Sequence, residues 1–365
     1  MRVLALAGDG IGREIMPEAL RIFAIVQGRC GVRAELVEGA IGTGPLMDEG
    51  NPFPAATETE ARNADAVLFG AAGDPSLDHL GPKRPDSAIG ALRKLLNLYG
   101  LVREYRIADA QLAMSPLRPV RARSTDFAIV REISGDVYAA QPKGQRIAED
   151  GPFPGEVEGF DTMRYTESEV RRIAHLGFRT ARARSGRLVS ADKSNVLATS
   201  RLWQRVVAEV AAEYPDVALT HQLADNTAMQ LVTDPASYDT ILTANLFGDI
   251  LSDVASALTG SIGLVASVVF NETGQVYYEP GHGSALDIAG QDKANPIAMI
   301  RCVALMLRHS FDRPDLASTV EQAIDEVLAA GLRTAEIHVD GTTLVSCSAM
   351  GKAIADRLEA LLPPD

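Results

Sequence analysis

Apolar positions along the chain alternate between short unbroken runs and stripes at helical spacing. VLALAG at the start is an unbroken run, DGIGRE a glycine turn and IMPEALRIFAIV a stripe, so the opening predicts strand, tight turn and helix. DAVLFGAAG begins a second such unit. DSAIGALRKLLNLYG predicts a helix with Asp86 or Ser87 as its N-cap and Ile89, Leu92, Leu95 and Leu96 on its inner face. FAIVREI reads as another buried strand. The helix TESEVRRIAHLGFRTARAR, the strand RLVSADK, the helix TSRLWQRVVAEVAAEY and the strand ALTHQLADN continue the alternation. Apolar strands alternating with helices indicate an α/β architecture with strands buried on both faces. After FAIVREI, the stretch SGDVYAAQPKGQRIAEDGPFPGEVEGF is rich in Gly and Pro and hairpin-like. An irregular segment of that length in a compact domain is either functional or covers a partner.

Size and charge narrow the picture. At 365 residues the chain exceeds the roughly 250–300 at which a single core stops growing, so two domains are expected. A net charge of −13 with scattered Lys and Arg gives a phosphate backbone nowhere to dock, which excludes nucleic acid as a partner. Cys30, Cys302 and Cys347 are odd in number and widely spaced, as thiols kept reduced in a cytoplasm are. The six scattered histidines form no zinc pattern. The N-terminus runs straight into a strand without a signal-peptide pattern, and no apolar run approaches the roughly 20 residues of a membrane span. A soluble, cytoplasmic protein is expected.

Within this frame NLFGDILSD is anomalous. Asp249 and Asp253 stand four residues apart among Leu246, Phe247, Ile250, Leu251 and Val254, so a helix here carries two repelling carboxylates on one face. Either that face is a solvated edge, or something positive sits between them. Arg93 after IGAL, Arg103 in LYGLVRE and Arg131 at the end of FAIV have apolar neighbourhoods unusual for surface charge. Each suits a snorkelling or salt-bridged arginine; converging, they suit a polycarboxylate, since guanidinium groups bind carboxylates bidentately. Lys193 in SADKSNVL and Asp225 in LADNTAMQLV fall at carboxyl ends of predicted strands, where α/β proteins keep their sites, although Asp225 or Asn226 would also serve as a helix cap. GDGIG at positions 8–12 is not a dinucleotide fingerprint, because position 13 is Arg and the third glycine comes one residue early. YEPGHGSALDIAGQDKANP gathers Gly281, Gly283 and Gly290 around His282 and Asp287 and ends at Asn295. Such glycines let backbone approach a ligand, and an acidic residue can take both hydroxyls of a ribose.

From GDGIG through ALRK, VREISGDVY, ADKSNVL, ADNTAMQL and NLFGDILSD to EPGHGSALDIAG and KANP, the chain resembles the 3-isopropylmalate and isocitrate dehydrogenase family of metal-dependent β-decarboxylating dehydrogenases. The motifs run collinearly over nearly the whole length. The resemblance implies a two-domain α/β fold of isopropylmalate dehydrogenase type rather than a standard Rossmann fold. Residues 1–98 and 260–365 would form a discontinuous cofactor-binding domain, and 99–259 a second domain with the dimer interface and an arm at about 134–160. It implies Mg²⁺ or Mn²⁺ on Asp225, Asp249 and Asp253, the cation that the paired aspartates call for. It also implies a homodimer with shared sites, since in the family the first of these aspartates and the lysine matching Lys193 come from the neighbouring subunit. Lys193 would take the hydroxyl proton, as a lysine can where its neighbours favour the neutral amine, and Tyr138 would protonate carbon after CO₂ is lost. Arg93, Arg103 and Arg131 would hold the substrate carboxylates, Asp225 would also contact the substrate, and Ile89 and Gly90 would face the substituent. NAD would rest on Ile11, Gly73, His282, Gly283, Ser284, Ala285, Asp287, Ile288 and Asn295, with Asp287 opposing the 2′-phosphate of NADP.

The chain departs from the family pattern in places. Where isopropylmalate-using members carry a glutamate and two adjacent leucines before ALRK, this sequence reads PDSAIGALRK, with Asp86, Ile89 and Gly90. EPGHGSALD stands for the usual EPVHGSAPD, and YAAQPKG for YFGEPKG. The expected reaction is NAD- and metal-dependent oxidative decarboxylation of a 3-substituted malate, with 3-isopropylmalate, on the route to leucine, as the first candidate. D-malate, tartrate or another 3-alkylmalate are the alternatives. A catalytically silent regulatory subunit would have lost an aspartate, the lysine or the tyrosine, and none is missing.

Overall fold

The computed structural model describes residues 1–363, which divide into two compact units. The first comprises residues 1–98, 102–126 and the described chain from Ala255 onward; the second comprises Tyr99–Leu101 and Phe127–Val254. In chain order the elements begin with β1 (Arg2–Gly8), α1 (Gly12–Cys30), β2 (Glu35–Glu38), α2 (Thr43–Glu49), α3 (Ala55–Asn63) and β3 (Ala66–Ala71). Next come α4 (Ser87–Leu95), β4 (Gly100–Arg106), α5 (Pro119–Ala122), β5 (Asp126–Glu132), α6 (Asp136–Ala139), β6 (Gly144–Ile147) and β7 (Val157–Phe160). α7 (Glu167–Ala183), β8 (Arg187–Asp192), α8 (Ala198–Ala211), β9 (Ala218–Leu223), α9 (Ala224–Thr233), β10 (Thr240–Thr243) and α10 (Asn245–Leu258) follow. The chain then runs through β11 (Ala266–Phe270), β12 (Val276–Pro280), α11 (Ile297–His309), α12 (Pro314–Ala329) and α13 (Cys347–Leu361).

In the first unit the strand order is β2-β1-β3-β12-β11-β4. β1 runs parallel to β2 and β3, and β12 is parallel to β3 but antiparallel to β11. All six residues of β3 are buried, as a strand covered on both faces requires. α11 is buried almost all round, which explains its near-continuous apolar sequence. The glycines of GDGIG serve geometry: Gly8 and Gly10 have φ of 74° and 54°. A Cβ on them would stand 1.8 Å from the Ala71 carbonyl oxygen and 1.9 Å from that of Ser284. Asp9, buried between them, accepts from Thr43 N at 2.8 Å and Gly73 N at 2.9 Å and so ties three loops together. α4 buries Ala88 and Leu92, followed by Leu96, while Ile89 and Leu95 are half-buried and Asp86 makes no side-chain cap bond.

Residues 102–126 pack with the first unit, although the family pattern assigns them to the second domain. Arg106 pairs with Asp325, Arg333 Nη2 donates to the Ala110 carbonyl at 2.7 Å, and Met114 fills the space where Gly260 lacks a side chain. These are contacts between distant parts of the chain, which linear motif order does not encode.

In the second unit β5-β10-β8-β9 are consecutive parallel neighbours. α7 opens on a reciprocal capping box between Thr166 and Glu169 and buries Val170, Ile173, Ala174 and Phe178. The Gly/Pro-rich stretch contains a separate antiparallel hairpin, β6 with β7, that leaves Ile147, Phe153 and Val157 exposed. α9 starts at Ala224 with Leu223 in the cap position, so neither Asp225 nor Asn226 is its cap, and Asp225 falls in the first turn. Among the described residues no helix is long and apolar enough to cross a membrane.

Candidate active site

The second unit holds a closed cluster around α10. Parallel pairing of β5 with β10 sets Arg131 opposite Thr243, two residues before α10 begins, and Arg131 is 8% exposed. Arg131 donates through Nε and Nη2 to Asn245 Oδ1 at 3.0 and 2.7 Å, and through Nη1 to Asp249 Oδ1. The Tyr138 hydroxyl donates to the other oxygen, Asp249 Oδ2, at 2.8 Å. The Arg131 guanidinium carbon also lies 5.6 Å from the Tyr138 ring centre, within cation–π range. A Cβ on Gly248 would stand 2.6 Å from Arg131 Cγ, so this glycine lets the arginine cross the helix. Burial, and then the bond to Asp249, push the Tyr138 hydroxyl above its ordinary range. Asp253, one turn further along α10, is exposed.

A second pair stands at the strand ends beyond. β8 and β9 run parallel with Asp192 opposite Leu223, which brings Lys193 beside the first turn of α9, and Lys193 Nζ lies 2.8 Å from Asp225 Oδ1. The hydrogen bond from Lys193 holds the Asp225 carboxyl below its ordinary range. Asp225 is thus engaged with Lys193, and among the described residues no three His, Cys, Asp or Glu side chains gather as a metal cluster. Within one chain, Asp249 and Asp253 are brought together on α10 and Asp225 does not join them.

In the first unit Arg93 and Arg103 reach one place by different routes. Arg93 Nη2 donates to Glu279 Oε1 at 2.6 Å, and Arg103 Nε donates to Ser267 Oγ at 2.9 Å. Ser267 and Glu279 face each other directly across the β11–β12 pair. Gly90, on α4 with Arg93, is exposed, and nothing lies within 4 Å of where its Cβ would be.

The loop from Gly281 to Asn295 belongs to the same unit. It is fastened from behind: Ile11 N donates to Ser284 O at 2.8 Å, and Glu14 accepts from Gly290 N and Asp292 N. Asn295 Oδ1 receives Ile297 N at 3.0 Å, while its Nδ2 donates to Glu336 at 2.9 Å. His282 meets Gly283 O through Nδ1 at 2.9 Å, and its buried Nε2 has no hydrogen-bond partner among the described residues. Burial holds His282 below the usual histidine range, so it stays neutral. Ala285 has a φ of 39°, Asp287 and Gly283 are exposed, and Ile288 is half-buried. An open pocket of about 410 Å³ lies against Leu286, Ala289 and Gly290 and is also lined by Gly10, Glu14 and Thr43.

These residues fit the groups that the sequence implies. A buried imidazole nitrogen lacking a partner, next to a glycine with open space and an exposed carboxylate, suits a ribose and an adenine. Two carboxylates one turn apart suit Mg²⁺ or Mn²⁺, hard ions that keep water or substrate oxygens in their other positions. The sequence reading missed Asn245, Glu279, Ser267 and Glu14. Two left a trace: Asn245 is a polar residue directly after an apolar strand, and Glu279 is a lone acid in the buried run VYYEP. Ser267 and Glu14 matter only through partners far away in sequence, so no local pattern marks them.

The family model for isocitrate/isopropylmalate dehydrogenase matches residues 2–354. A 3-isopropylmalate dehydrogenase from Bordetella avium is 49% identical over 358 residues, which cover 98% of this chain and 99% of that protein. One from Zymomonas mobilis is 50% identical over 355 residues, 97% and 99% of the two. Among solved structures, isocitrate dehydrogenase from Methylococcus capsulatus has a TM-score of 0.84 at 29% identity, covering 98% of this chain and 99% of its own. A β-decarboxylating dehydrogenase from Thermococcus kodakarensis has a TM-score of 0.78 at 32% identity over 98% and 96%. The collinear motifs, the α/β architecture and these matches agree, and the chain belongs to the isocitrate/isopropylmalate dehydrogenase family.

Proposed function

We propose that the chain carries out the oxidative decarboxylation of 3-isopropylmalate to 4-methyl-2-oxopentanoate in leucine biosynthesis, using NAD and Mg²⁺ or Mn²⁺. The observation that carries this reading is the Arg131–Asp249–Tyr138 cluster, which groups a carboxylate binder, a metal ligand and a proton donor within hydrogen-bond distance. When bound, NAD supplies the hydride acceptor, and the divalent cation supplies Lewis-acid stabilisation of the oxygen at C2. The protein's own groups do the rest. Arg93, Arg103 and Arg131 each offer a planar guanidinium to a carboxylate of the malate core. Lys193 Nζ, as the neutral amine, takes the C2 hydroxyl proton as the hydride leaves C2. The Tyr138 hydroxyl, kept protonated by its surroundings, gives its proton to C3 once CO₂ has departed. Asp249 and Asp253 hold the cation. With Asp249 engaged there, the Arg131 guanidinium is released for the substrate.

A homodimer fits the same facts. Lys193 and Asp225 form a unit of their own, so a second copy can deliver both to the Asp249–Asp253 pair. Exposed apolar side chains, Met229 and Val232 on α9, Ile250 on α10, and Ile147, Phe153 and Val157 on the arm, are the kind of surface that a partner covers. The exposed Asp287 carboxylate favours a free ribose hydroxyl pair over a 2′-phosphate, hence NAD over NADP. Three free cysteines suit a reducing cytoplasm. In this reading the first unit carries the cofactor and the second the dimer contacts.

Steady-state rates with NAD and Mn²⁺ on 3-isopropylmalate, other 3-alkylmalates, D-malate, tartrate and isocitrate test the proposal. 3-Isopropylmalate should give the highest kcat/KM; preference for D-malate, tartrate or isocitrate would overturn it.

A further inference from the structure

Tyr138 is an unusual residue to find in a fixed place. It is 47% exposed, so packing does little to hold it, yet its hydroxyl meets Asp249 at 2.8 Å. What lies two residues before it is the opposite: Asp136 is fully buried and has a φ of 70°. That left-handed conformation suits glycine, and aspartate tolerates it because its short polar side chain bonds locally. Here Asp136 Oδ1 accepts from Val137 N at 2.6 Å. Its Oδ2 accepts from Leu246 N at 3.1 Å and from the Tyr165 hydroxyl at 3.5 Å. The Tyr165 oxygen accepts from Asn245 N at 3.0 Å, so the first two N–H groups of α10 are both taken up by this pair. Asn245 Nδ2 closes the frame by donating to Gly135 O at 3.1 Å. A carboxylate at a helix N-terminus is favoured by unpaired N–H groups and helix dipole together.

The helix fastened in this way is the one that carries Asp249, one turn after Asn245. The turn fastened to it is the one that carries Tyr138. From the metal-helix side the frame also fixes Arg131, whose two bonds to Asn245 Oδ1 need that amide held in one orientation. We propose that Asp136, seconded by Tyr165, is a positioning residue for the proton-donating tyrosine: it locks the Tyr138 turn onto the N-terminus of α10. This rests on the role given to Tyr138 above. Asp136 touches neither substrate nor cofactor; it acts through Tyr138 and α10, and its carboxylate is committed to backbone N–H groups.

The test is a double-mutant cycle on the full-length enzyme with 3-isopropylmalate, NAD and Mn²⁺, following kcat, KM for NAD and thermal midpoint. Asp136→Gly suits the positive φ but removes the acceptor. It should lower kcat about tenfold while leaving KM for NAD within about twofold. Asp136→Asn keeps an acceptor and tolerates the conformation, and should keep kcat within about threefold of the parent. In a Tyr138→Phe background Asp136→Gly should have no further effect on kcat, because the group it positions is gone. If Asp136→Gly does not accumulate as folded protein, Tyr165→Phe, which removes the other acceptor, takes its place in the cycle. Equal losses of kcat in both backgrounds, or a lowered thermal midpoint with kcat unchanged, would overturn the proposal. Should Tyr138→Phe by itself leave kcat intact, the role of Tyr138 falls and the positioning role with it. Collapse of Tyr138→Phe with additive effects removes the positioning role alone.

Discussion

The two units prepare for ligands in opposite ways. In the second, the charges satisfy one another: Asp249 holds both Arg131 and Tyr138, and Lys193 holds Asp225. In the first, the loop from Gly281 to Asn295 is secured from behind by backbone bonds and presents an unpartnered His282 nitrogen and an exposed Asp287. A charged cluster must exchange partners when it binds, because a buried guanidinium or carboxylate left unpaired is costly. A loop fixed by main-chain bonds can add a ligand without giving anything up. Substitutions in the second unit should therefore act on turnover, and substitutions in the first on affinity and preference.

The largest effect expected is that of Lys193→Met. Loss of a general base costs about 10²–10⁴-fold, and here it should appear in kcat with KM for NAD unaltered. The same variant has a signature independent of turnover. Lys193 holds the Asp225 carboxyl below its ordinary range, so removing it should let that group titrate higher, toward the ordinary aspartate value. An NMR titration reads the direction, and an Asp225 resonance that does not move would separate the pair and weaken the dimer argument built on it.

Asp249→Asn follows. The amide oxygen still accepts from Arg131, so the unit should fold and the dimer form, while metal affinity and turnover fall by roughly 100-fold or more. Near-native turnover of the purified variant at limiting Mn²⁺ would remove Asp249 from the metal site and leave its carboxylate as a salt-bridge partner alone.

How much of this was legible in the sequence depends on whether a feature is local or made by distant partners. The elements were readable because period is local: VLALAG, FAIVREI and RLVSADK are strands. Caps were less so: Asp86 makes no side-chain cap bond, and Leu223 rather than Asp225 or Asn226 stands before α9. The failure of GDGIG as a fingerprint was also readable, and its glycines do serve turn geometry. The clustering of Arg131, Tyr138 and Asp249 came from family resemblance, since these residues lie up to 118 positions apart and no periodicity joins them. Asn245, Asp136 and Tyr165 bind the cluster together through contacts over 80 to 110 positions, for the same reason invisible to local pattern. The packing of residues 102–126 was misassigned because it depends on Arg106 meeting Asp325 and Arg333 meeting Ala110.

In the first unit, Asp287→Ala should change cofactor preference more than rate. A charge-assisted hydrogen bond is worth about 1.5–3 kcal/mol, so the preference for NAD over NADP should narrow about tenfold or more while kcat with NAD at saturation changes little. Equal kcat/KM for the two cofactors in the parent enzyme would contradict the premise, and an unaltered ratio in the variant would move discrimination to another residue of the loop.

The smallest effect, and the one that sharpens the substrate question, belongs to Gly90. The family resemblance implies a leucine at this position; Gly90 is exposed, and among the described residues nothing outside its own helix turn lies within 4 Å of where its Cβ would be. Space left by a missing side chain of that size either receives a substituent larger than isopropyl or leaves a small alkyl group poorly packed. Either way the effect is bounded, because a methylene in an apolar pocket discriminates by only ~1–3 kcal/mol. Arg93, one turn along the same helix, keeps its bond to Glu279 whatever stands at position 90, so the hold on the malate core should persist. Gly90→Leu should therefore reorder 3-alkylmalates, raising kcat/KM for 3-isopropylmalate relative to bulkier analogues, with kcat for the preferred substrate nearly unchanged. The helix should tolerate the change, since leucine has the higher helix propensity and open space to occupy. If the ranking of 3-methyl-, 3-isopropyl- and larger 3-alkylmalates is the same in parent and variant, position 90 does not face the substituent. The pocket must then be traced from Ile89, half-buried on the same turn.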